Sequence, residues 1–222
     1  MQIIKDYPCR ADNYSKRVGA IKYLVVHYVG ATGSAKDNAI YYSREYVGNS
    51  AHFFVGHASE NGAVYESVPP AARAWHCGSE TGIYKHPDCR NDNSIGIELC
   101  CKYDETNGWY FEEATLAAAA ELIKSLMAEY GIKKENILRH YDVTGKGCPA
   151  PLLDAAAWDA FLGRLAEKEL TEPNDIVWEL AIRGIVSDAA GMVAEMEKDR
   201  DARLYWLARK TVRYIREREL SL

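Results

Sequence analysis

Two short apolar runs, each interrupted by one ionisable residue, constrain this chain more than anything else in it. Tyr23-Leu24-Val25-Val26-His27-Tyr28-Val29 ends at Gly30, and Ser94-Ile95-Gly96-Ile97-Glu98-Leu99-Cys100 follows an irregular polar stretch. Runs of this length, rich in β-branched and aromatic residues, are buried strands. His27 falls near the C-terminal end of the first strand. Glu98 sits in the second among Ile95, Ile97 and Leu99, where an unpaired buried charge is expensive and a carboxylate needs a partner or a task.

The segments between these strands carry helical and hairpin signals. Asp37 to Tyr46 reads as a short helix. Ala51 to Val55 and Val64 to Val68 read as two strands joined at Glu60-Asn61-Gly62, a hairpin. Residues 69–93 read as irregular. Leu116, Ala119, Ala120, Ile123, Leu126, Met127 and Tyr130 keep helical spacing between Phe111 and Tyr130, with Gly131 as the cap. Ile137 to His140 reads as a strand followed by the glycine-rich turn Thr144 to Pro149, and Leu153 to Glu167 as a closing helix. Strands interleaved with helices predict an α/β domain over residues 1–168, with a mixed central β-sheet flanked by helices. At Glu169 to Asn174 the composition changes to that of a linker. Residues 169–222 read as a small all-helical module, with helices over Asp175 to Arg183 and Asp188 to Lys198. A final stripe runs through Leu204, Leu207, Ala208, Thr211, Val212 and Ile215. So small a module buries little surface alone, which predicts docking or homo-oligomer formation. Arg200, Arg203, Arg209, Lys210, Arg213, Arg216 and Arg218 make its last helix basic. That face suits either solvent or an anionic polymer.

A chain of 222 residues, 48% hydrophobic, suffices for one substantial core. The formal charge of -5 gives no overall attraction to nucleic acid or an acidic membrane. No run reaches the roughly 20 apolar residues that span a bilayer, and the opening seventeen residues lack the apolar core of a signal peptide. The expectation is synthesis in the cytoplasm and action elsewhere only after release. Six cysteines are too few for a disulfide scaffold of this size, so reduced thiols or metal ligands are expected.

His27, His140 and Cys148 offer two imidazoles and a thiolate. Three protein ligands leave a fourth tetrahedral position open, as a catalytic zinc site requires and a structural one does not. Glu98 is the natural base for an activated water, and Lys146, two residues before Cys148, is placed to hold a developing oxyanion. His52 is expected beneath the site, while His57 and His86 are expected on the surface or in loops.

The ordered set Val25-Val26-His27-Tyr28, Ser50-Ala51-His52-Phe53, Ala74-Trp75-His76-Cys77-Gly78, Asn93 through Glu98, and Arg139-His140 through Lys146-Gly147-Cys148-Pro149 resembles the type-2 N-acetylmuramoyl-L-alanine amidases. That family includes phage and prophage endolysins and shares its fold with animal peptidoglycan recognition proteins. The resemblance covers about residues 15 to 168. It implies hydrolysis of the amide between N-acetylmuramic acid and the L-alanine of the stem peptide, with zinc on His27, His140 and Cys148. It also implies catalysis by Glu98 and Lys146, and a place for His76 on the substrate groove, with Trp75 packed beneath it or in the core. One branch carries a tyrosine where this chain has Ala51, so the resemblance is to the endolysin branch that relies on the glutamate. A non-catalytic peptidoglycan-binding module, a cytoplasmic muropeptide-recycling amidase and a structural zinc domain are the competing expectations.

Overall fold

A computed structural model describes residues 2–166 and, beyond them, 176, 177, 180, 181, 185, 187–198, 208, 210–212 and 215. In chain order the first part contains β1 (Ile3–Ile4), β2 (Tyr14–Lys16), β3 (Tyr23–Tyr28), α1 (Ala35–Arg44), β4 (Phe53–Val55), β5 (Val64–Glu66), β6 (Ala72–Ala74) and β7 (Ser94–Leu99). Then come β8 (Lys102–Asp104), β9 (Gly108–Tyr110), α2 (Glu113–Tyr130), β10 (Ile137–Arg139), α3 (His140–Thr144) and α4 (Ala155–Gly163). Six strands form one sheet in the order β1-β5-β4-β7-β3-β10. Only β4 and β5 run antiparallel; every other pair is parallel, so the sheet is mixed as expected.

The parallel pair at its centre explains why both apolar runs lack a polar face. Leu24 and Val26 of β3 and Ile95, Ile97 and Leu99 of β7 pack with Leu122, Ile123 and Leu126 of α2 and Phe161 of α4. On the opposite face α1 covers Phe54 and Tyr65 through Ala35 and Ala39. Strands covered on both faces by helices have no side left for solvent. Ser34 starts α1 with a capping box to Asp37, and the Glu60 carboxylate accepts from the Ala35 and Lys36 amides, satisfying donors that a helix start leaves over. The hairpin turn uses Asn61 at φ 52° and Gly62 at φ 66°, both left-handed, which is what Asn-Gly supplies cheaply.

The stretch read as irregular holds an element the sequence reading lacked. Ala72–Ala74 pairs antiparallel with Tyr14–Lys16 as a two-stranded ribbon, and β8 and β9 form another. All six cysteines are free and buried, in keeping with reduced thiols. Among the described residues no helix is long and apolar enough to cross a membrane.

The chain divides into two compact units, 1–166 and 167–222. In the second, Ala189–Lys198 is helical, and Ile176, Val177, Leu180, Met196, Ala208 and Val212 form a buried cluster. Most of the helix expected over Asp175 to Arg183, and Leu204, Leu207 and every arginine of the basic stripe, lie outside the described residues.

Leu122 is fully buried between α2 and the sheet. Leu122→Ala should lower unfolding free energy by about 3 kcal/mol, read as a reduced urea midpoint with an unchanged slope; an unshifted midpoint would contradict this packing.

Candidate metal centre

The β3–β7 register sets His27 directly opposite Glu98. Both lie on the face of the sheet turned away from α2, near the C-terminal ends of parallel strands, where α/β sheets hold their ligands. His140 arrives from β10, which pairs with β3 on its other side and leads straight into α3. Cys148 follows on the turn after α3, which is held back against the helix by Tyr141 N–H donating to the Cys148 carbonyl at 2.8 Å. Arg139 clamps this turn. Its guanidinium pairs with both Asp142 oxygens at 3.0 and 2.8 Å and donates to the Leu152 and Leu153 carbonyls at 3.0 and 3.1 Å. The sequence reading quoted Arg139 without giving it a task. Asp142, three residues on, was the signal.

The three expected ligands converge. One nitrogen from each of His27 and His140 and the Cys148 sulfur all lie within 4.8 Å of one another, and all three residues are buried. His27 Nδ1 is 3.7 Å from Cys148 Sγ. The His27 and His140 rings meet edge to face at 4.8 Å. His140 Nε2 is buried without a hydrogen-bond partner. A buried nitrogen left open beside an imidazole and a thiol is the unmet need that a divalent cation answers.

Charge in the site follows from burial. Burial holds His27 well below the ordinary histidine value, helped by His76, His140 and Lys146. Burial brings His140 down to about 4. Both imidazoles are therefore neutral at pH 7, the form that binds metal. Burial pushes the Cys148 thiol up to about 12, with Glu98 adding to the effect, and the same cause raises the Glu98 carboxyl to about 8 against the pull of Lys146. Glu98 Oε2 is buried with no partner, while Lys146 is exposed on its loop. Positive charge arriving among these groups would lower both acids.

His76 is 9% exposed, its imidazole lying against β7 at Gly96, which has no side chain. A Cβ at Gly96 would stand 2.3 Å from His76 Cγ. Trp75 is partly buried and outside the core, its indole N–H donating to Ser15 Oγ at 3.0 Å, so it ties β6 to β2. His52 lies beneath the site as expected, fully buried, accepting from the Gly96 amide at 2.9 Å. His57 was expected on the surface or in a loop; it is in a loop but buried, its Nδ1 2.9 Å from Ser59 Oγ. His86 is a loop residue that accepts from the Asp88 and Cys89 amides.

With this geometry in place, comparison with known proteins is decisive. The profile of the family described as N-acetylmuramoyl-L-alanine amidase matches residues 17–151. The chain belongs to that family. Among curated amidases it is 34% identical over 165 residues to XlyA of Bacillus subtilis (strain 168), covering 72% of this chain and 50% of that one. It is 31% identical over 163 residues to a probable N-acetylmuramoyl-L-alanine amidase of Bacillus licheniformis, covering 69% and 44%. The chain thus spans about half the length of these curated relatives. Among solved structures, a mutant endolysin from Bacillus subtilis aligns with a TM-score of 0.60 at 30% identity, covering 75% of this chain and 99% of that one. The catalytic domain of XlyA aligns at 0.59 and 30%, covering 75% and 100%. The fold is the one these amidases share. The three-residue cluster spans Ile137–Pro149 and β3, inside the family match.

Neutral burial of the histidines makes the metal-free protein acid-sensitive. The folded-state values of His27, His52 and His140 lie below the unfolded value of about 6.5. The unfolded chain therefore binds more protons below that pH. Their contribution is complete above pH 6.5 and is lost as pH falls below it, for His140 down to about 4. His140 alone should cost about 2 kcal/mol between pH 7 and pH 5. Urea midpoints of chelator-treated protein at the two pH values check this, and equal midpoints would contradict neutral burial.

Proposed function

We propose that this chain is a zinc-dependent peptidoglycan hydrolase of the endolysin type. It cleaves the amide between N-acetylmuramic acid and the L-alanine of the stem peptide in the bacterial wall. The observation that carries the reading is the convergence of His27, His140 and Cys148 beside Glu98, whose Oε2 is buried without a partner. Family membership supports it, as do relatives named N-acetylmuramoyl-L-alanine amidase.

His27, His140 and Cys148 hold the metal. When bound, zinc would supply Lewis-acid chemistry and lower the proton affinity of the thiol and carboxyl around it. Glu98, held on the rigid β7 next to His27, takes the proton of the attacking water and returns it to the departing amine. Its buried setting keeps its proton affinity high enough for the second step. Lys146 sits on the exposed rim of the loop, where its ammonium faces the charge that develops on the scissile carbonyl oxygen. Ala51, 2% exposed in the core, offers no acid or base, so Glu98 carries the proton transfers alone. The unit at 167–222 serves wall attachment or self-association.

Glu98→Gln should retain zinc and fold yet lose at least about 100-fold in turnover of purified sacculi. Mass analysis of wall digests should show free stem peptides with a new L-alanine amino terminus, absent for the variant. Digestion by Glu98→Gln at the parent rate, or products cut elsewhere in the wall, would sink the proposal.

A further inference from the structure

Four buried histidines stand in a row beneath and within the centre: His52 and His76 at 5.6 Å between ring centroids, His76 and His27 at 5.2 Å, His27 and His140 at 4.8 Å. The proposed ligand set uses only the last two. His76 touches neither Cys148 nor His140 by any hydrogen bond, yet both of its ring nitrogens are engaged.

The directions of these hydrogen bonds can be worked out from one end. The Ser94 hydroxyl donates to the Arg90 carbonyl at 2.6 Å, which uses its only proton. The 3.1 Å contact between Ser94 Oγ and His76 Nε2 must then be donated by the imidazole, so His76 carries its proton on Nε2. That leaves His76 Nδ1 as an acceptor, and the atom 3.1 Å away is His27 Nε2. His27 must donate there. Its proton is thereby fixed on Nε2, and the lone pair of Nδ1 is free on the side facing Cys148 Sγ. Burial makes the sequence of bonds binding: Ser94 is fully buried and His27 is 1% exposed, and buried polar groups are satisfied by hydrogen bonds.

The backbone locks His76 in place. Asn91 Oδ1 accepts from the His76 and Cys77 amides at 3.0 and 2.8 Å, and the ring rests on the bare Cα of Gly96 in β7. The geometry points to His76 as a positioning residue: with Ser94 and the Arg90 carbonyl it sets the tautomer and ring orientation in which His27 ligates the metal. A histidine ligand whose second nitrogen donates to a fixed acceptor is oriented in advance and is more basic towards the ion. This inference rests on the proposed zinc site and adds to it a residue that acts through His27.

The test uses the full chain and two substitutions at one position. His76→Phe fills the space but offers no acceptor, whereas His76→Asn places an amide oxygen close to where Nδ1 stood. Zinc affinity, measured by competition with a chromophoric chelator, should fall about 10- to 100-fold in His76→Phe and recover most of that loss in His76→Asn. Long-range ¹H–¹⁵N spectra of the metal-free parent should show His27 protonated on Nε2 alone, and His76→Phe should lose that single tautomer. If His76→Phe does not fold, Ser94→Ala, which removes the acceptor at the far end, should give the same spectral change with a smaller loss of affinity. Parent-like zinc binding in a folded His76→Phe, or His27 protonated on Nδ1 in the parent, would overturn the inference. A parent that binds no zinc but shows the Nε2 proton would overturn the zinc reading and leave the relay standing.

Discussion

The parallel pairing of β3 with β7 is the constraint on which everything else depends. One register places His27 beside Glu98, Val26 beside Ile97 and Val25 beside Gly96. A slip of β7 by one residue would turn its side chains to the other face, putting the Glu98 carboxyl into the α2 core and the isoleucines beside His27. The apolar residues prevent that slip, because Leu24, Val26, Ile95 and Ile97 are all fully buried on the α2 side. Core packing thus sets the position of the chemistry. The third and fourth participants are attached to the same frame, His140 through β10 on the free side of β3 and Cys148 through the turn that Arg139 clamps.

Placing ionisable groups in such a sheet shifts their proton affinities before any ligand is bound. Two neutral imidazoles, a thiol raised to about 12 and a carboxyl raised to about 8 share one buried region. Each of these shifts is the cost of removing charge from water. A divalent cation relieves several at once, which is why the donor set and its burial belong to one design. The exposed Lys146 can lie near this region without such a cost because its ammonium stays in solvent.

Much of this was legible in the sequence, and the exceptions have physical reasons. β3, β7 and α2 stand out because buried parallel strands and a helix with one apolar stripe leave strong periodic signals. The convergence of His27, His140 and Cys148 was legible because the residue types are restrictive and the family pattern supplied their order. β6 was missed because Ala72-Arg73-Ala74 has no β-branched residue and is held by pairing with the distant β2 near the start of the chain. The β8–β9 ribbon did carry an Asn107-Gly108 turn signal, overlooked beside the stronger helix that follows. The burial of His76 was not legible: it depends on the missing side chain of Gly96, twenty residues later, and no local window of sequence joins the two.

The central claim is that one zinc ion sits among His27, His140 and Cys148. Zinc-edge X-ray absorption of the purified full chain tests it most directly. The account predicts one sulfur at about 2.3 Å and two imidazole nitrogens at about 2.0–2.1 Å, completed by an oxygen ligand, with the sulfur lost on Cys148→Ser. A shell of two or more sulfurs, or one unchanged in Cys148→Ser, would contradict it.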